Sequence, residues 1–200
     1  MKKPQNKQKN LSQAPQSVRI IAGQWRGRLL PVTLADGLRP TANRVRETVF
    51  NWLQFDIHGR SCLDLFSGSG ALGFEAASRG ASEVTLVEKD AVLANTLRQQ
   101  VTTFSAPQIK VIQADALSFI KTDAQQYDLI LLDPPFQQFT SGEVLAAVLA
   151  AGIIKSDGMI YIEAARGALP EPLPKPWSWW RQAQAGQVEY GLIQQQKQAP

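Results

Sequence analysis

The stretch CLDLFSGSGALGFEAASRG, from Cys62 to Gly80, decides the fold. It opens as a short apolar strand and breaks at Gly68. ALGFEAASRG then reads as a helix that stops at Gly80, a residue suited to a helix C-terminus. Gly68, Gly70 and Gly73 satisfy G-x-G-x-x-G in a strand–loop–helix setting. Glycines let the chain turn sharply there and let a ligand come close to the backbone. The next apolar run, EVTLVE, ends in Glu88, eighteen residues after Gly70. An acid at that strand end can accept hydrogen bonds from a ribose diol. Together the loop and the acid predict an adenosine-containing cofactor without saying which one.

Working outward, strands and helices alternate. IKVIQ (109–113), YDLILL (127–132) and GMIYIE (158–163) read as further strands, with helices over 91–104 and 142–151. That alternation predicts a parallel sheet covered on both faces. SWWRQAQAG and QVEYGLIQQ close the chain as two strands around a glycine turn, so they must pair antiparallel. Upstream, VRIIAG and GRLLPV flank QWR as a hairpin, and a helix over TANRVRETVFNWL follows with Thr41 as its N-cap. Val45, Val49, Trp52 and Leu53 lie on one face of that helix, and Arg44, Glu47 and Asn51 on the other.

DLILLDPPF (128–136) is the second site. Asp133 stands at a strand end, Pro134 and Pro135 remove two N–H donors in a row, and Phe136 adds an apolar ring where a polar loop is expected. An exocyclic amine on a nucleobase is a poor nucleophile because its lone pair is conjugated into the ring. A carboxylate on one N–H and a fixed backbone carbonyl on the other would favour the pyramidal nitrogen, and an aromatic ring would stack on an extruded base. Asp133, the Pro134 carbonyl and Phe136 supply those parts. Asp64, Glu88, Asp115 and Asp133 all fall at or near strand ends, which suits a ligand with amino and hydroxyl donors and a positive charge.

Composition narrows the field. One cysteine, Cys62, excludes an intrachain disulfide and a thiolate cluster, and one histidine, His58, argues against a zinc site or a histidine triad. Cys62 reads as a small core residue and His58 as an exposed loop residue. The longest apolar run, Val144 to Ile154, has eleven residues, against roughly 20 for a membrane span. No apolar segment follows the N-terminal lysines, so no signal peptide is expected, and the cytoplasm is the expected location. Residues 1–46 carry ten Lys or Arg against one acid, a balance of +9, while 47–200 stand at −5. Such a split predicts a polyanion partner reached through the N-terminal part.

Four segments, VRIIAGQWRGRLL, LRPTANRVRETVFNWL, CLDLFSGSGALGFEAASRGA and DLILLDPPF, resemble the RsmD family of bacterial small-subunit ribosomal RNA guanine-N2 methyltransferases. The resemblance spans roughly 18–195. It implies an α/β class I methyltransferase, Rossmann-like: a seven-stranded, mostly parallel sheet with a reversed last strand, helices on both faces and a small N-terminal hairpin and helix. Residues 1–17, rich in Lys, Gln, Asn, Ser and Pro, read from their composition as a disordered basic tail that departs from the family's compact start; the rest divides into an RNA-docking hairpin and helix (18–56) and a methyltransferase domain (57–200). S-adenosylmethionine would be held by Asp64, Phe66, Ser67, Gly68, Ser69, Gly70, Glu88, Lys89, Asp115, Ala116 and Asp133. Asp133, Pro134, Pro135 and Phe136 would hold guanine. Arg19, Arg26, Arg28, Arg39, Thr41, Arg44 and Arg46 would grip 16S rRNA in the small subunit or its assembly intermediate; nothing in the sequence demands more than a monomer.

The motif chemistry does not separate guanine N2 from adenine N6, so an N6-adenine methyltransferase shares the site; the chain lacks a separate target-recognition domain for DNA. An NAD-dependent oxidoreductase fits the glycine spacing but has no Tyr/Lys or His proton donor nearby and leaves Asp-Pro-Pro-Phe unused. A non-catalytic nucleic-acid-binding protein would use the basic segment alone.

Overall fold

The computed structural model describes residues 17–32 and 43–196. The tail read over 1–17 lies outside them except for Ser17, which starts a strand; Arg39 and Thr41 also lie outside. Fourteen elements follow in order. A hairpin of β1 (Ser17–Arg19) and β2 (Leu29–Pro31) precedes α1 (Asn43–Trp52). Then come β3 (Ser61–Asp64), α2 (Ala71–Ser78), β4 (Glu83–Glu88), α3 (Ala91–Thr103), β5 (Ile109–Gln113) and α4 (Ala116–Thr122). The chain ends with β6 (Tyr127–Leu132), α5 (Ser141–Ala151), β7 (Ile154–Ala165), β8 (Trp177–Ala185) and β9 (Val188–Gln195).

Strands β3 to β9 form one sheet in the order β5-β4-β3-β6-β7-β9-β8. The pairs among β5, β4, β3, β6 and β7 are parallel, and β9 runs antiparallel between β7 and β8. The reversed last strand is therefore present. The chain steps outward from β3 to β5, then returns to β6 on the other side of β3. Ligands bind at the carboxyl ends of strands where such an order reverses. Asp64 ends β3, and Asp133 follows β6 directly.

Side chains alternate across the sheet because the strand period is two. Leu129 and Leu131 of β6 join the core under α1, α2 and α3, while Ile130 and Leu132 join the core under α4 and α5. Full burial of such a side chain contributes about 1.5–3 kcal/mol. Cys62 is fully buried in the first of these cores and His58 is exposed, as expected. Trp177 is buried in the second core with Val144 and Val148 of α5.

The sequence reading contains no helix between β5 and β6. Helix α4 has seven residues, too few turns for a hydrophobic period to register, and Asp115 starts it by accepting from the Ser118 N–H at 3.1 Å.

The hairpin lies along α2. Val18 and Val32 pack on Ala71 at the start of that helix, while Gln24 N and Trp25 N donate to Ser78 at its end. Its open end therefore sits beside the glycine loop and its tip at the opposite end of the helix. Trp25 packs in the main core with Phe74 and Phe104.

Candidate active site

Between β3 and α2 the chain makes a tight loop. Ser67 N donates to Val87 O at 3.0 Å, Ser67 Oγ to Asp64 O at 2.9 Å, and Gly70 N to Ser67 O at 2.6 Å. Gly68 and Gly70 have φ of 50° and 78°, left-handed values that side-chain-bearing residues rarely adopt. Gly73 has a different reason to be glycine: a Cβ there would stand 2.2 Å from Leu86 Cδ2 and 3.2 Å from Asp64 Oδ2. The helix can approach β4 that closely only without a side chain. Ser69 is half-buried on the loop, and the half-buried Phe66 ring lies 5.7 Å from that of Phe139.

Asp64 is 1% exposed and lies beneath the loop, its Oδ2 accepting from Gly73 N at 3.0 Å. It braces the start of α2 from inside. Burial pushes its carboxyl up to about 7; the Gly73 N–H opposes that rise, and the charges of Asp133 and Glu88 add to it.

Glu88 links the loop to the next strand end. One carboxylate oxygen accepts from Gly68 N at 2.9 Å and the other from Asp90 N at 2.8 Å. Asp90 in turn caps α3 through Val92 N and Leu93 N. Lys89 Nζ stands 3.4 Å from Asp115 Oδ2. The Ser118 N–H holds the Asp115 carboxyl below its usual range, with Lys89 helping. Ala116 is buried at the first position of α4. Loop, Glu88 and Asp115 thus line one rim of the sheet's carboxyl edge. A loop with two left-handed glycines and the acids at successive strand ends suit a nucleoside-bearing cofactor.

Across the topological switch, Asp133 is half-buried, Pro134 buried, and Phe136 45% exposed. The Pro135 carbonyl accepts from Gln138 N at 2.8 Å and Phe139 N at 3.3 Å, so the motif folds into a compact turn. Thr140 and Glu143 form a capping box that starts α5 directly after it. Strand β6 on one side and α5 on the other flank the turn, and the Pro135 carbonyl is committed to it.

The basic residues do not share one environment. Arg19, Arg26 and Arg44 are exposed. Arg28 is exposed too, but its guanidinium stacks 3.8 Å over Phe104 and donates to Thr103 O at 2.9 Å, at the end of α3. Arg46 corrects the sequence expectation. It is 0% exposed, 3.9 Å from the buried Glu75 carboxylate, and donates to Arg19 O and Asn43 Oδ1. Burial lowers its pKa, Glu75 raises it, and Arg79 lowers it. A side chain in that position cannot reach a phosphate; it belongs to the joint between α1, the hairpin and α2.

The chain matches the family model described as "Conserved hypothetical protein 95" over residues 18–194. It is 42% identical over 182 residues to Ribosomal RNA small subunit methyltransferase D of Escherichia coli (strain K12), covering 90% of this chain and 91% of that one. The protein of the same name from Haemophilus influenzae is 42% identical over 181 residues, covering 88% and 93%. The solved structure described as "Putative methyltransferase yhhF from Escherichia coli" superposes with a TM-score of 0.81 at 41% identity, covering 92% of this chain and 100% of that one. The chain belongs to the RsmD family.

In this RsmD-family chain the sheet brings Asp64, Glu88 and Asp133 together as the motifs implied, and it adds a residue that motif reading passed over. Glu163 lies on β7 next to Asp133, is 5% exposed, and accepts from Tyr161 OH at 2.6 Å. Burial pushes its carboxyl up to about 8, and the Asp133 charge adds to the rise. Its signal in the sequence was an acid closing the apolar run MIYIE, although the strand itself continues to Ala165.

Proposed function

We propose that the protein transfers a methyl group from S-adenosylmethionine to the exocyclic N2 amine of a guanine in 16S rRNA of the small ribosomal subunit. The observation that carries this reading is the position of Asp133, which follows β6 at the switch point, across from the glycine loop and Glu88. Membership of a family whose relatives are named small subunit rRNA methyltransferases supplies the substrate class.

The cofactor would rest on Ser67 to Gly70, with its ribose hydroxyls on Glu88 and its adenine near Asp115 and Ala116. When bound, it supplies an electrophilic methyl on a sulfonium sulfur. The protein's own part is positioning and charge. Asp133 accepts one N–H of the amine, and the Pro134 carbonyl the other. Both acceptors bind the developing cation better than the flat neutral amine, so they stabilise the transition state selectively. Asp133 is placed to take the proton the amine sheds. Phe136, exposed on the turn, offers its face to a base drawn out of the RNA. Arg19, Arg26 and Arg44 would bind RNA backbone in the subunit.

Small ribosomal subunits lacking the modification should accept labelled methyl, and digestion should release N2-methylguanosine. Asp133→Ala should abolish transfer and leave S-adenosylhomocysteine affinity largely intact, since the loop and Glu88 carry most of the cofactor's contacts in this reading. N6-methyladenosine as product, or full activity in the variant, would refute the reading.

A further inference from the structure

Leu132 of β6 pairs with Ile162 of β7 in a parallel ladder. Asp133 and Glu163 each follow by one residue, Asp133 just past the end of β6 and Glu163 within β7, so the two carboxyls are neighbours across the strand pair. Leu131 and Tyr161 pair two residues back, and both join the same core. Asp133 and Glu163 therefore share that face, which also carries Asp64 at the end of β3.

The mechanism above leaves Glu163 without a task, yet a buried acid is costly unless something requires it. None of the ion pairs among the described residues involves it. The groups facing it are Tyr161 on its own strand, Asp133 just after β6 and, in register on β9, Tyr190, whose ring stacks on Trp52 with centroids 5.8 Å apart. Its neighbours are thus an acid and two phenols, not a cation.

We propose that Glu163 is a specificity-determining residue for the target base, contacting the N1–H and C6=O edge of guanine while Asp133 takes the exocyclic amine. This rests on the guanine-N2 reading above. In guanine the amine, the N1–H and the C6 carbonyl follow one another along one edge. Tyr161 donates to Glu163 Oε2, which marks that oxygen as an acceptor and leaves Oε1 to carry the proton. A neutral carboxyl of this kind accepts from N1–H with one oxygen and donates to O6 with the other. With a carboxyl held neutral up to about pH 8, both bonds are available near neutrality. Adenine presenting its amine to Asp133 offers an acceptor at N1 and only a C–H beyond it, so one of the two bonds is lost. Sites built to hydrogen-bond a substrate reject analogues that leave them unpaired.

The test compares wild type, Glu163→Gln and Glu163→Ala on subunits lacking the modification. A glutamine amide has the same acceptor and donor, so Glu163→Gln keeps most of the activity. Glu163→Ala lowers kcat/KM by about 10- to 100-fold with S-adenosylhomocysteine affinity unchanged. Wild-type activity falls as pH rises past about 8, where Glu163 ionises and loses its donor; in Glu163→Gln that fall disappears. Asp64, whose carboxyl burial also pushes up, is present in both proteins, so the comparison of the two profiles reads the change at residue 163. A glutamine variant as impaired as the alanine one, an unimpaired alanine variant, or identical pH profiles would overturn the assignment. The wild-type product separates the two levels: a nucleoside other than N2-methylguanosine overturns the function itself, whereas N2-methylguanosine with any of those three results overturns Glu163 alone.

Discussion

Gly68 donates its backbone N–H to the Glu88 carboxylate at 2.9 Å. The bond joins the loop after β3 to the end of β4, so one side chain both shapes the glycine loop and stands where the proposed ribose would lie. Glu88→Ala removes a charge-assisted acceptor and should weaken S-adenosylhomocysteine binding by about 10- to 100-fold. Glu88→Gln, which still accepts from Gly68, should fall between. Titration calorimetry reads both, and an unchanged affinity in Glu88→Ala would remove Glu88 from the cofactor site.

Glu75 pins the hairpin to α2. Its buried carboxylate accepts from Ile21 N at 2.8 Å, Ala22 N at 3.1 Å and Arg79 Nε at 2.7 Å, with Arg46 at 3.9 Å. Glu75→Ala strands two amides and the buried Arg46 guanidinium and should cost about 3–5 kcal/mol. Urea denaturation should show that loss, and limited proteolysis should cut the hairpin first. An undiminished denaturation midpoint would argue against the pin.

Stability should fall as pH rises from about 4 to about 8. Asp64 and Glu163 have folded pKa values raised to about 7 and about 8, so the native state keeps protons that the unfolded chain has released. Each group contributes a decline of up to about 1.4 kcal/mol per pH unit within its own window. Asp128 acts in the opposite sense. Burial would raise its carboxyl, but hydrogen bonds from Lys155, Ser61 and Arg60 together hold it below the usual range. Its contribution is present above about pH 4 and is lost on acidification. Glu163→Gln should therefore gain on wild type steadily between about pH 5 and pH 8 in urea denaturation. A constant difference would contradict the raised value.

Neutralising Arg19, Arg26 and Arg44 together should weaken binding to 16S rRNA and reduce the slope of log K against log salt by about 2 to 3, since each lost phosphate contact removes about 0.7 to 0.9. Arg46 is left out of the set because it is buried. Filter binding across a salt series reads the slope, and no change would move RNA docking off this face.

Much of the molecule was legible in one dimension. EVTLVE, IKVIQ and YDLILL occupy β4, β5 and β6 residue for residue. A buried parallel strand is a run of apolar β-formers, and a glycine loop before a helix is a local steric requirement, so neighbouring residues suffice to announce both. Asp64, Glu88, Asp115 and Asp133 were visible as strand-end acids for the same reason. Arg46 shows the limit. Its type matches Arg44, yet Arg46, Val49, Phe50 and Leu53 form a second apolar-spaced stripe, and only the packing of that stripe on α2 turns Arg46 inward toward Glu75. Glu163 shows it again. That it stands beside Asp133 follows from the register of β6 on β7, thirty residues apart in the chain. Local sequence carries backbone period and turn sterics. Which charges end up buried together depends on strand order and register, which are properties of the whole core rather than of any one segment.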